Sequence, residues 1–284
     1  MGLYDRDYTR ESAEAGFRYV PQMGMSFPTL TPGVKFLLIA NIGIFLTAMV
    51  FTPLQGFIYG WFQLDAASLS HVLQLWRLIT YQFLHASVMH ILLNMLGLYF
   101  LGPTLERHWG TKKFLPFYFG CGAAGGLFYL FLVLVGFLPP GVMVGASGAI
   151  LGLLAACAIL FPQFVVFIFV FPVPIRIAAL VLIVGYLITL VSKGVNAGGD
   201  AAHLAGMAAG AIYVWSQPFR SQLKLKLRAA RWQKKMEGHH KLQLEVDRIL
   251  EKVHNSGLHS LTAKEKRTLK KATKAEQLRR TYPY

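Results

Sequence analysis

Three short stretches of this sequence hold side chains able to do chemistry amid otherwise apolar residues. One is Gly145-Ala146-Ser147-Gly148, the second is Asp200-Ala201-Ala202-His203-Leu204-Ala205-Gly206, and the third pairs His90 with Asn94. A serine hydroxyl becomes a useful nucleophile only when a neighbouring base takes its proton, and histidine is the usual base. An asparagine amide and a second imidazole are donors suited to an oxygen that gains negative charge. His90 and Asn94 are four residues apart, so one helix face would carry both. Ser147 and His203 are far apart in the chain, and only tertiary packing can bring them together.

The elements that must do so are membrane spans. The chain is 55% hydrophobic and 14% charged, with mean hydropathy +0.47, whereas a soluble domain carries about 25% charged residues. Between Phe27 and Gln217 the only acidic residues are Asp65, Glu106 and Asp200. From Pro218 onward lie 18 of the 28 Lys and Arg, so the net charge of +15 belongs mainly to a tail. Beside membrane spans the positive-inside rule accounts for such a tail, and no nucleic-acid partner is expected. Cys121 and Cys157 fall in apolar runs without CxxC spacing, which points to packing and to no metal site or disulfide framework.

A helix needs about 20 apolar residues to cross a bilayer. Runs near that length fall at 34–51, 85–101, 114–138, 147–161, 175–191 and 201–215, which predicts six spans. The apolar stretch 164–171 is followed at once by Pro172 and Pro174, and it is expected to form an interfacial turn. Segments that six spans place inside carry Arg6, Arg10, Arg18 and Lys35, then Arg107, Lys112 and Lys113, then Arg176 and the basic tail. Those placed outside carry only Arg77 and Lys193, so both termini are expected to be cytoplasmic. The mixed-charge start of the chain has no signal-peptide shape, and the first span is expected to be an uncleaved anchor. In the loop 52–84, Trp61, Phe62, Trp76 and Tyr81 point to the outer interface. In the tail, Leu242, Val246, Ile249, Leu250 and Val253 have helical spacing, Gly257 ends that helix, and Thr262 with Glu265 forms a capping box. The expected organisation is an N-terminal cytoplasmic segment (1–33), a six-span core (34–217), and a basic linker with a small helical hairpin (218–284).

Polar groups inside spans are costly and call for a reason. In the predicted orientation spans two, four and six all run inward from the outer face. His90, Ser147 and His203 then share one depth. Gly148 and Gly152 on span four, with Gly206 and Gly210 on span six, are small-xxx-small pairs that permit close backbone approach. Other classes stay open at this level. A serine in a membrane helix commonly bonds back to its own backbone. A transporter could use His90, His203 and Asp200 as a proton path, although no carboxylate lies deep in a span. A zinc hydrolase could recruit His85, His90 and His203, but His85 and His90 lie roughly 140° apart on a helix and no Glu accompanies them.

The sequence resembles the rhomboid family of intramembrane serine proteases. The resemblance runs over about 35–216 and is carried by Trp76-Arg77, His85, His90 and Asn94, Gly145-Ala146-Ser147-Gly148, and Ala202-His203 with Gly206 and Gly210. It implies an all-α, six-transmembrane-helix bundle in which Ser147 is the nucleophile and His203 its base, a dyad without cofactor or metal. His90 and Asn94, with the Ser147 N–H, would stabilise the oxyanion, and Gly145 would lie in the active-site loop. The implied substrates are transmembrane proteins cut in or near their spans, within membrane lipid. A catalytically inactive, client-binding relative is the alternative, but such relatives would be expected to lack the serine or the histidine. Two positions depart from the family pattern: His108 stands where an Arg is usual after Glu106, and Leu151 replaces an aromatic that packs on the histidine. Asp200 is expected to cap the start of span six.

Overall fold

The computed structural model describes residues 28–67, 73–168 and 171–281. Most of the N-terminal segment, with Arg6, Arg10 and Arg18, therefore lies outside the described residues. The chain divides into two compact units, the first ending at Ala211 and the second beginning at Ile212.

The first unit opens with α1 (Pro32–Val50) and α2 (Thr52–Phe62). A short helix α3 (Arg77–Thr80) runs into a 3-10 turn at Tyr81–Phe83. Then come α4 (Val88–Trp109) and α5 (Thr111–Leu134), separated by Gly110, whose φ of 77° breaks the helix without a Cβ penalty. α6 (Ser147–Leu160), α7 (Ile175–Val191) and α8 (Ala197–Trp215) complete the set. By length and composition α1, α4 and α5 are long and apolar enough to cross a membrane; α6 and α7 are shorter apolar helices. α6 is buried from Gly148 to Ala158, so it is enclosed by its neighbours and need not present a lipid-facing length of its own. By contrast, Phe36, Ile39 and Leu46 on α1, and Leu180, Val181 and Ile188 on α7, are exposed. Such faces suit hydrocarbon and not water.

Several elements differ from expectation. The second predicted span begins at Val88 and not at 85, because the Ser87 hydroxyl caps it by accepting the His90 N–H at 3.2 Å. The fold is not purely helical. β1 (Leu64–Asp65) pairs antiparallel with β2 (Val142–Met143). The stretch expected as a plain interfacial turn is a hairpin of β3 (Val165–Ile168) and β4 (Phe171–Pro174), residues 169 and 170 lying outside the described set. In a two-stranded ribbon both strands are edges, where proline is tolerated. Tyr81, expected at the interface, is buried and donates to the Gly122 carbonyl at 2.7 Å. Arg77 is buried as well, donating to the carbonyls of Gln63 and Gly60.

Glu106 lies in the last turn of α4, not in a loop. Its buried carboxylate accepts the N–H groups of Gly33 and Val34 at 2.8 and 2.9 Å, together with the hydroxyls of Thr31 and Thr111. It thus supplies from another helix the N-terminal acceptor that α1 lacks. Glu106→Ala leaves those donors unpaired, each costing about 1–3 kcal/mol. It is expected to lower the thermal midpoint in detergent markedly, with Glu106→Gln between it and wild type. An unchanged midpoint for Glu106→Ala would show that α1 is not held there.

In the second unit the expected basic linker is helical throughout. α9 (Gln217–Ser256) runs without a break for 40 residues, then turns at Gly257 into α10 (Ala263–Thr281). The capping box forms, with the Thr262 N–H donating to Glu265 at 2.8 Å and the Glu265 N–H to the Thr262 hydroxyl at 3.3 Å. These bonds, with Lys252 at 3.0 Å, hold the Glu265 carboxyl down to about 2. Ile249 and Leu261 are buried between the two helices.

Candidate active site

Ser147 is the first residue of α6, so its backbone N–H lies outside the helix's own hydrogen-bond ladder. The preceding turn is fixed by Gly145, whose φ of 125° favours glycine and whose N–H donates to the Tyr81 carbonyl at 3.0 Å. Any Cβ on Gly145 would fall 2.7 Å from the His90 ring. The turn and the imidazole thus touch only because that side chain is missing.

α6 and α8 meet backbone to backbone. A Cβ at Gly206 would stand 2.1 Å from the Gly148 carbonyl oxygen, and one at Gly210 would stand 2.4 Å from that of Gly152. This approach brings Ser147 Oγ within 2.6 Å of His203 Nε2, a hydrogen bond between side chains that are both half-buried. If Nε2 accepts the hydroxyl proton, the neutral ring carries its own proton on Nδ1.

On α4, His90 and Asn94 face the same turn. His90 Nδ1 accepts the Ala86 N–H at 3.5 Å, which leaves Nε2 as the N–H of the neutral ring, and that atom lies against Gly145. Asn94 is buried, and its Nδ2 has no hydrogen-bond partner among the described residues. A cavity of about 470 Å³ joins Ser147, His203 and His90 to the chain segments 138–145 and 193–199. The arrangement offers a hydroxyl, a base and free donors around one water-reachable space. That is what acyl transfer requires.

Parts of the site carry no cue in the sequence. Leu151 is buried one turn beyond Ser147, and the aromatic against the histidine comes from a different helix. Tyr186 of α7 packs on His203 with ring centroids 4.7 Å apart. α8 begins at Ala197, so Asp200 is not the cap expected of it but lies inside the first turn. Its carboxylate accepts from Thr189 Oγ1 at 2.5 Å and Asn196 Nδ2 at 3.2 Å, and it stands 3.7 Å from His203 Nδ1. His85 is buried edge-on to His90, with ring centroids 5.1 Å apart. Among the described residues no group of three His, Cys, Asp or Glu side chains could hold a metal ion.

The Rhomboid domain family model matches residues 72–217, and a family of unknown function, DUF6576, matches residues 235–275. The chain is 34% identical over 163 residues to Rhomboid protein 1, mitochondrial, of Saccharomyces cerevisiae, covering 53% of this chain and 45% of the relative. It is 30% identical over 195 residues to RHOMBOID-like protein 12, mitochondrial, of Arabidopsis thaliana, covering 64% and 56%. To Rhomboid-like protease 3 of Toxoplasma gondii it is 38% identical over 85 residues, 30% of each chain. The chain spans about half the length, or less, of these relatives. It belongs to the rhomboid family, and with its apolar helices it is a helical integral membrane protein.

Proposed function

We propose that the protein is an intramembrane serine endopeptidase in which Ser147 and His203 form a catalytic dyad. The observation that carries this reading is the 2.6 Å contact between Ser147 Oγ and His203 Nε2 at the wall of a cavity. Ser147 Oγ attacks a peptide carbonyl as its proton passes to Nε2, and the imidazolium then gives that proton to the leaving amine. The carbonyl oxygen takes up negative charge opposite the Ser147 N–H, Asn94 Nδ2 and His90 Nε2, and water later releases the acyl group. Six spans with cytoplasmic termini put the segments 138–145 and 193–199 on the outer face, so the cavity opens there. The substrates are transmembrane proteins whose helices unwind near their outer ends, reached through the surrounding lipid. In this reading 34–217 is the catalytic core, and the reaction uses no cofactor.

A fluorophosphonate probe offered to the detergent-solubilised protein is expected to label wild type but neither Ser147→Ala nor His203→Ala. Persistent labelling of Ser147→Ala would place the nucleophile elsewhere, and unlabelled wild type would favour an inactive client-binding relative. Asn94→Ala should cut peptide turnover on the order of 10²-fold, since one oxyanion donor is worth about that much. Labelling by the activated probe should fall less. Unchanged peptide turnover would remove Asn94 from the oxyanion site.

A further inference from the structure

The His203 ring is held on three sides, and only one of its nitrogens is accounted for. Nε2 meets Ser147, while Nδ1 is buried and has no hydrogen-bond partner among the described residues. The carboxylate oxygen Oδ1 of Asp200 lies 3.7 Å from Nδ1 and one turn before it on α8. Asp200 is buried, and a buried carboxylate in an apolar protein calls for compensation. Its compensation comes from side chains: Thr189 of α7 on Oδ2, and Asn196 on Oδ1. An ionised carboxylate oxygen has about two acceptor sites, so Oδ1 retains one for a further donor. His203 Nδ1, 3.7 Å from Oδ1, is buried without a hydrogen-bond partner among the described residues. Tyr186, one turn before Thr189 on α7, covers the ring itself. One face of α7 thus fixes both the ring and the carboxylate.

We propose that Asp200 is a positioning residue for the Ser147–His203 pair. Anchored by Thr189 and Asn196, its carboxylate takes the Nδ1–H of His203 and holds the tautomer whose Nε2 receives the Ser147 proton. A small rotation of the imidazole closes the 3.7 Å separation to a hydrogen bond; catalytic contacts are commonly long in free enzymes and tighten with substrate. When the Ser147 proton arrives, the ring becomes a cation beside the Asp200 carboxylate. The proton on Nδ1 stays on the ring, and that on Nε2 leaves with the amine. This inference rests on the dyad reading and extends it by a third member.

The test uses the full-length protein in detergent with a fluorogenic single-helix substrate, read as kcat and KM separately. Asp200→Asn keeps the shape but presents an amide that favours the wrong tautomer. It is expected to lower kcat on the order of 10²-fold with KM unchanged, less than the ~10⁴-fold loss at a fully bonded triad. Fluorophosphonate labelling of Ser147 should slow in step. Thr189→Val frees the carboxylate to swing away and should lower kcat roughly tenfold, as loss of an orienting outer partner does. Thr189→Ser should restore it. If Asp200→Asn does not fold, the Thr189 pair decides the matter. Equal kcat for Thr189→Val and Thr189→Ser would overturn the proposal. So would full kcat for Asp200→Asn while Ser147→Ala is inactive, which leaves the dyad standing alone. Turnover by Ser147→Ala would remove the dyad and this role together.

Discussion

Ser147→Ala is expected to abolish cleavage of a model transmembrane substrate, with a loss on the order of 10⁴-fold or more, while the protein stays folded and inserted. The replaced atom is the one 2.6 Å from His203 Nε2, and removing it takes away the hydroxyl whose proton His203 would accept. Alanine adds nothing to the tight contact between α6 and α8. Its cost to folding is one side-chain hydrogen bond, about 0.5–1.5 kcal/mol. His203→Ala should be as inactive. The double variant should be no worse than either single, because residues that act as one unit do not add. The measurement is turnover of the three variants under identical detergent conditions, with thermal midpoints as the check on folding. Residual cleavage above background by Ser147→Ala, or a further large loss in the double variant, would mean that these two side chains do not share one step.

The parts of this site that can be read from sequence are those with a fixed local spacing. His90 and Asn94 sit four apart and must share a helix face. Gly148 with Gly152, and Gly206 with Gly210, mark stripes on which a backbone can approach. Those stripes do meet: a Cβ on Gly206 would lie 2.1 Å from the Gly148 oxygen. Tyr186 and Thr189 carry no such cue. They stand in an apolar run, and their value depends on how α7 is rotated about its own axis, which only tertiary packing fixes. Apolar residues alone start span six at 201, but α8 begins four residues earlier at Ala197, so Asp200 is not its cap; a carboxylate at the cap faces its own helix, whereas one in the first turn faces a neighbour. Similarly, Ser87 shortens the second predicted span by a cap, a signal present in the sequence and outweighed by hydropathy. The tail shows the opposite error. Its basic residues read as a linker, yet Lys, Arg, Leu, Gln and Ala between 222 and 235 are good helix formers, and α9 runs through them.

Gly206→Val should cost both activity and stability, and it tests the packing independently of the chemistry. The first carbon of any side chain at 206 would lie 2.1 Å from the Gly148 carbonyl oxygen, 2.8 Å from its carbon and 3.1 Å from its Cα. These are backbone atoms of a buried helix and cannot rotate aside, so α6 and α8 must separate. Overpacking a core typically costs about 1–3 kcal/mol. Because Ser147 precedes Gly148 and His203 lies one turn before Gly206, the same separation stretches the 2.6 Å contact. A misplacement on the order of 1 Å can cost about 10²-fold in rate. Gly97→Val on α4 is the comparison, since a Cβ there meets only the Cγ2 methyl of Ile150 at 2.9 Å, a single side-chain atom and no backbone. It should melt closer to wild type and keep more activity. Ala208→Val, on an exposed position of α8, measures what valine costs the helix alone. The ordering expected in both rate and thermal midpoint is Gly206→Val lowest, then Gly97→Val, then Ala208→Val near wild type. Full activity and stability in Gly206→Val would mean that α6 and α8 do not touch at this level, and the 2.6 Å contact between Ser147 and His203 would need another support.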